Sequence, residues 1–79
     1  MIWNYRVTFR PSIGFPSYEI REVYYDDTGK VKLYSKDPIA ARGDTVDEFY
    51  SDMCLMMDSL DKDPLNLDVL DRELEKNKA

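Results

Sequence analysis

Carboxylates are the reactive groups this chain has most of. Sixteen Asp and Glu stand against eleven Lys and Arg, with no His. Near neighbours occur at Asp26/Asp27, Asp47/Glu48 and Asp61/Asp63. Such pairs serve general acid/base chemistry when burial shifts a pKa, and hold divalent ions when ligands alternate along a loop. Here all three pairs fall in stretches that read as turns or exposed helix, and Asp61–Asp63 lacks alternating ligands. Asp27-Thr28-Gly29 matches the short aspartic-protease signature. Its neighbours, Asp26 and Lys30 between two strand patterns, make it a hairpin turn instead. The absence of His removes the usual triads and the commonest metal ligand. The single Cys54 cannot build a zinc site. Gly14, Gly29 and Gly43 are too far apart for a phosphate loop. The expectation is no catalytic residue, no metal and no cofactor; the chain is not read as an enzyme.

Recognition chemistry is better represented. Arg6 and Arg10, joined by Arg21 if the register allows, would form a small basic strip beside tyrosines. Such a strip can stack and pair with single-stranded nucleic acid; cross-strand pairing with Glu19 or Glu22 is the ordinary alternative. A second candidate lies on the acidic side of a helix spanning about 45–61. Leu55 falls there among Glu48, Asp52 and Asp58, and could be covered by a partner or by the chain's own tail.

These residues need elements to position them. In the stretch Gly43–Leu60, Thr45 and Glu48 form a capping box, and Asp44 and Asp47 suit the positive end of the helix dipole. At 100° per residue, Val46, Phe49, Tyr50, Met53, Cys54, Met56, Met57 and Leu60 share one arc. The arc reads as core, with a Met-rich adaptable groove as the alternative; on the core reading Cys54 is an inert buried thiol. Upstream, strands are expected at about 2–10, 18–26 and 31–35. Trp3, Tyr5, Val7 and Phe9 alternate with polar residues and should lie under the helix. Pro11–Ser17 is a loop, with Ile13 and Phe15 against the sheet edge. The alternation in the second strand slips at Arg21–Glu22, which suggests a bulge there, or partial cover on both faces. Asp26–Lys30 is the turn, and Lys30, Lys32 and Lys36 protect the third strand as an edge. Ile39 caps the core. Pro64 ends the helix, and a short helix at about 67–76 follows. It carries Leu67, Leu70 and Leu74, is capped by Asn66 or Asp68, and has basic Arg72, Lys76 and Lys78 toward its end. It is too short to persist undocked, so Leu67 and Leu70 are also candidate partner contacts.

The fold expected is therefore one small α+β domain of 79 residues: a three-stranded antiparallel meander, one amphipathic helix across one face, and a short C-terminal helix. A core of this size leaves stability marginal without packing partners. Charge is uneven. Residues 1–42 carry seven basic and five acidic groups, residues 43–63 one and seven, residues 64–79 three and four. The acidic helix disfavours phosphate-backbone binding, so nucleic acid is not the partner expected. It would also suit a basic partner, or a nucleic-acid mimic that blocks a basic enzyme. With no apolar run of membrane-spanning length and no signal-peptide core, no membrane contact and a cytoplasmic location are expected.

Two resemblances rest on quoted residues. W-N-Y-R-V (Trp3–Val7), E-V-Y-Y-D-x-x-G-K (Glu22–Lys30), D-P-I (Asp37–Ile39) and the capped acidic helix after Gly43 resemble a group of short stand-alone bacterial and phage proteins of unknown function. The likeness covers about residues 3–65 and implies no activity. Three strands followed by G-D-T-V-D-E-F (Gly43–Phe49) are similar to the N-terminal part of HicB-type antitoxins. That resemblance implies a partial ribonuclease-H-like ββαβ domain that binds a toxin and oligomerises. The Gly-Tyr-rich second strand of that family is altered here. The strand expected after the helix is replaced by a helical pattern at Leu65–Leu74, and no DNA-binding extension is expected. The functional expectation is a non-enzymatic protein-interaction module acting through homo- or hetero-oligomer contacts, a homodimer being one such form. A nucleic-acid-linked regulator or an antitoxin- or anti-defence-like inhibitor is the alternative.

Overall fold

A computed structural model of the chain describes residues 2–14 and 17–76. The order is β1 (Ile2–Phe9), a 3-10 turn (Pro11–Ile13), β2 (Tyr18–Tyr25), β3 (Val31–Tyr34), α1 (Val46–Asp58), a second 3-10 turn (Ser59–Asp61), β4 (Leu65–Asn66) and α2 (Leu67–Lys76). The sheet runs β3-β2-β1-β4. β1 to β3 form the antiparallel meander that the alternating residues predict. The sheet itself is mixed and four-stranded, because β4 adds parallel to β1, pairing Thr8 with Leu65 and Phe9 with Asn66. Two residues are too few to show a strand period, which is why this stretch reads as the start of a helix.

Register places Trp3, Tyr5, Val7 and Phe9 on one face with Tyr24, Glu22, Ile20 and Tyr18 of β2. Asn4, Arg6, Thr8 and Arg10 share the other face with Val23, Arg21, Glu19 and Tyr34. No bulge interrupts Arg21–Glu22; the β1–β2 register is continuous, and the shift lies at Tyr24/Tyr25 against β3. The mixed parity of β2 reflects cover on both faces instead. α1 approaches the first face, where the Tyr5 hydroxyl reaches Asp52, while α2 lies on the second, where Arg10 and Tyr34 bond Asp71.

The best-buried side chains are Leu67, Val23 and Thr8, so the tightest packing lies under the short helix α2. The sequence pattern places the core under α1. It lies under α2 because long Arg stems contribute apolar surface once their head groups are bonded. Ile13 is exposed rather than tucked against the edge. Phe15 and Lys78 lie outside the described residues. Ile39 is half-buried, and its N–H donates to Ile20 O, extending the pairing beyond β3.

Local signals hold at the turns and caps. Asp26 Oδ1 accepts from the N–H and hydroxyl of Thr28 and from Lys30 N–H, while Gly29 takes φ 85°. The Thr45 hydroxyl accepts from Glu48 N–H, and the Glu48 carboxylate accepts from Asp44 N–H, one residue before the partner a capping box uses. Asn66 caps α2 by accepting from Asp68 and Val69 N–H. Gly43 has a packing role: a Cβ there would stand 2.3 Å from Phe49 N and 2.7 Å from Glu48 C. Backbone atoms of a capped first turn cannot retreat. Gly43→Ala is expected to destabilise the chain by about 1–3 kcal/mol, read as a lower urea midpoint. An unchanged midpoint would show that the crossing into α1 is not tight.

Candidate protein-interaction surface

The helix α1 does not bury the arc its period defines. The inward residues are Asp52, Met56 and Ser59, centred about a quarter turn away from the middle of the apolar arc. Only Met56, at one edge of the arc, is buried. Val46 is 82% exposed, Tyr50 70%, Met57 62% and Leu60 70%. Cys54 is exposed as well, not a core thiol.

Polar contacts set this rotation. The Tyr5 hydroxyl donates to Asp52 Oδ1 at 2.6 Å, and Arg42 N–H donates to Asp52 Oδ2 at 2.9 Å. Ser59, buried, donates to Met56 O and closes the end of the helix. Asp52 therefore faces the body and is occupied there. Glu48 is engaged in the N-terminal cap. Leu55 is half exposed and, with Asp58, lines a cleft of about 220 Å³ together with Trp3, Tyr5 and Lys62. Among the described residues, α2 does not cover it. Leu67 and Leu70 are buried inside the chain, so the C-terminal helix has its docking site on its own sheet.

The arginines sit together, and the register does put Arg6 directly opposite Arg21. They face α2 rather than open water. Arg10 donates to Asp68 and Asp71 at 3.1 and 2.8 Å and to the Tyr34 hydroxyl at 2.9 Å. Arg6 donates to the Tyr25 hydroxyl and the Asp63 carbonyl, and Arg21 to the Thr8 hydroxyl at 2.7 Å. Arg21 is 8% exposed, and its Nε–H, like that of Arg6, is buried without a hydrogen-bond acceptor. Ser12 N–H and hydroxyl also donate to Asp68.

Titration follows these contacts. Asp52 is held below the usual carboxylate range by the Tyr5 hydroxyl, then by Arg42 N–H, against desolvation. Desolvation pushes Asp71 and Asp68 upward. Bonds from Tyr34 and Arg10 to the first, and from Ser12 and Arg10 to the second, outweigh it and leave both lowered. The Tyr5 hydroxyl is pushed up to about 12, first by desolvation and then by its bond to Asp52.

Among the described residues, no three His, Cys, Asp or Glu side chains converge as a metal site, and no helix is long and apolar enough to cross a membrane. What the surface offers is the stripe Val46, Tyr50, Met53, Met57 and Leu60, which no sequence signal separates from a core face. Neither family models nor curated proteins nor solved structures give a match to this chain.

Lowered carboxylate pKa values in the folded state contribute stability that is present above about pH 4 and lost as pH falls through the folded values. The urea midpoint is expected to drop between pH 6 and pH 3, and Asp71→Asn to flatten that drop. Equal slopes for the two proteins would remove Asp71 from the account. Tyr5 acts with the opposite sign: its contribution is present below about pH 10 and fades as pH rises toward 12.

Proposed function

We propose that this chain is a non-enzymatic protein-interaction module whose contact surface is the outward side of α1. The observation that carries the reading is the apolar stripe left in water beside an anchored polar edge. Scattered exposed apolar residues are ordinary, but a continuous row of them marks an interaction site. The contact thus shifts from the Leu55–Asp52–Asp58 side, considered first from the sequence, to the arc half a turn away. Leu55 and Asp58 lie outside it, lining the cleft beside Trp3 and Tyr5.

The nucleic-acid-linked alternative has less support, because the head groups of Arg6, Arg10 and Arg21 are already bonded within the fold. An antitoxin-like inhibitor that captures a protein gains one observation. β4 supplies the strand after the helix, completing the ββ(β)αβ order implied by the resemblance to HicB-type antitoxins. Both protein-binding readings use the same helix.

A photoreactive phenylalanine analogue at Tyr50 or Met57 tests the surface in the cells that make the protein, with Thr28 in the exposed turn as control. Discrete protein adducts are expected from the two α1 positions and none from the turn. Absence of adducts from both helix positions would sink the interface reading. Salt titration of single-stranded DNA is expected to give no binding even at low salt; a steep salt slope would restore the basic-strip reading.

A further inference from the structure

Taking the outward side of α1 as an interface, and resting on that reading, we infer that its occupant is a second copy of this chain. The two helices pair antiparallel about a two-fold axis passing near Met53. Three observations favour this occupant over others.

The stripe is self-complementary. Val46, Tyr50, Met53, Met57 and Leu60 recur at alternating steps of four and three residues, the spacing with which one helix seam fits another. It is also close to palindromic. The aliphatic ends Val46 and Leu60 each lie seven residues from Met53. Reversal about Met53 lays Val46 of one copy against Leu60 of the second, with Tyr50 and Met57 filling the space between. That is the geometry of an isologous contact.

Charge narrows the occupant. α1 holds Asp47, Glu48, Asp52 and Asp58, with no Lys or Arg. Helices that lie on membranes carry Lys and Arg on the polar face, and an anionic bilayer or a nucleic acid would repel this one. A parallel pair would set Asp47 beside Asp47 and Asp61 beside Asp61. The antiparallel pair sets Asp61 near Asp47 and Glu48 of the other helix, so carboxylates meet in either orientation and the reversal symmetry of the stripe decides between them.

The surface area also calls for a partner. The chain exposes 6081 Å², whereas a compact monomer of 9.3 kDa exposes about 5000 Å². The excess is comparable to the roughly 800 Å² that each partner contributes to a standard interface. The radius of gyration is 13.6 Å, against about 11.6 Å for a compact domain of this length.

Sedimentation of the purified full chain over a wide concentration range reads the pairing directly. The mass is expected to rise from one chain to two. Met57→Glu and Tyr50→Glu, at solvent-facing positions, should keep the urea midpoint of the monomer and raise the dissociation constant at least about tenfold. Cys54 lies beside the axis, so mild oxidation should link two chains in the wild type and not in Met57→Glu. A one-chain mass throughout, with Cys54 unlinked, overturns the second-copy assignment. A dimer indifferent to both substitutions overturns it too, as does binding of the wild-type chain to phosphatidylcholine vesicles that Met57→Glu abolishes. If the chain is monomeric while Tyr50 still gives adducts with a different protein, only the occupant is wrong. If those adducts are missing as well, the interface reading fails with it.

Discussion

The bond from the Tyr5 hydroxyl to Asp52 decides what this molecule shows to its surroundings. An amphipathic helix beside a sheet would ordinarily roll until its apolar arc faces inward. Asp52 prevents the roll. One carboxylate oxygen holds β1 and the other holds the backbone at Arg42, which ties down the connection entering the helix. A partly buried carboxylate with both oxygens engaged is costly to expose or to leave unpaired. The helix therefore stays a quarter turn from its best hydrophobic fit. The stripe from Val46 to Leu60 stays outside as a consequence, and the protein-binding proposal starts from that stripe.

The opposite face shows how the fold holds together without α1 as its centre. Arg10 bridges the end of β1 to Asp68 and Asp71 of α2 and to Tyr34 of β3, while Ser12 joins from the neighbouring turn. Three chain segments far apart in sequence meet at one guanidinium. Bonds of this charge-assisted, multidentate kind are stronger than isolated surface pairs. They bring Leu67 and Leu70 down onto the sheet, and the arginine stems beneath contribute apolar surface. A polar strand face thereby becomes the better-packed side of the sheet.

Features set by local chemistry were legible in the sequence. The alternation of Ile2–Phe9, the Asp26–Lys30 turn, the Thr45 and Asn66 caps and the Leu67/Leu70 stripe all depend on neighbours within a few residues. The rotation of α1 depends on a pair of side chains 47 positions apart, which no helical period records. Periodicity states which side of a helix is apolar and is silent about what that side meets. β4 escaped for a different reason. It is two residues long and held by the edge of β1, so its conformation belongs to its partner strand rather than to Leu65 and Asn66. The arginines were placed on the correct face by parity alone, but parity says nothing about a helix arriving from sixty residues later in the chain to cover them.

An exposed stripe of this size also bears on folding. Each square ångström of apolar surface left in water forgoes about 25 cal/mol of stabilisation, and a chain this short has little in reserve. Anything that covers Tyr50, Met53 and Met57 therefore stabilises the fold by mass action as it binds. Binding and folding would be coupled through α1, and most tightly near its middle, where Met53 faces the covered stripe one position from the Asp52 anchor. Release of Asp52 would let the helix roll inward, burying the stripe in the chain's own body and withdrawing the contact surface. The hydrogen bond that costs the monomer its best hydrophobic fit is thus the same one that keeps the stripe exposed.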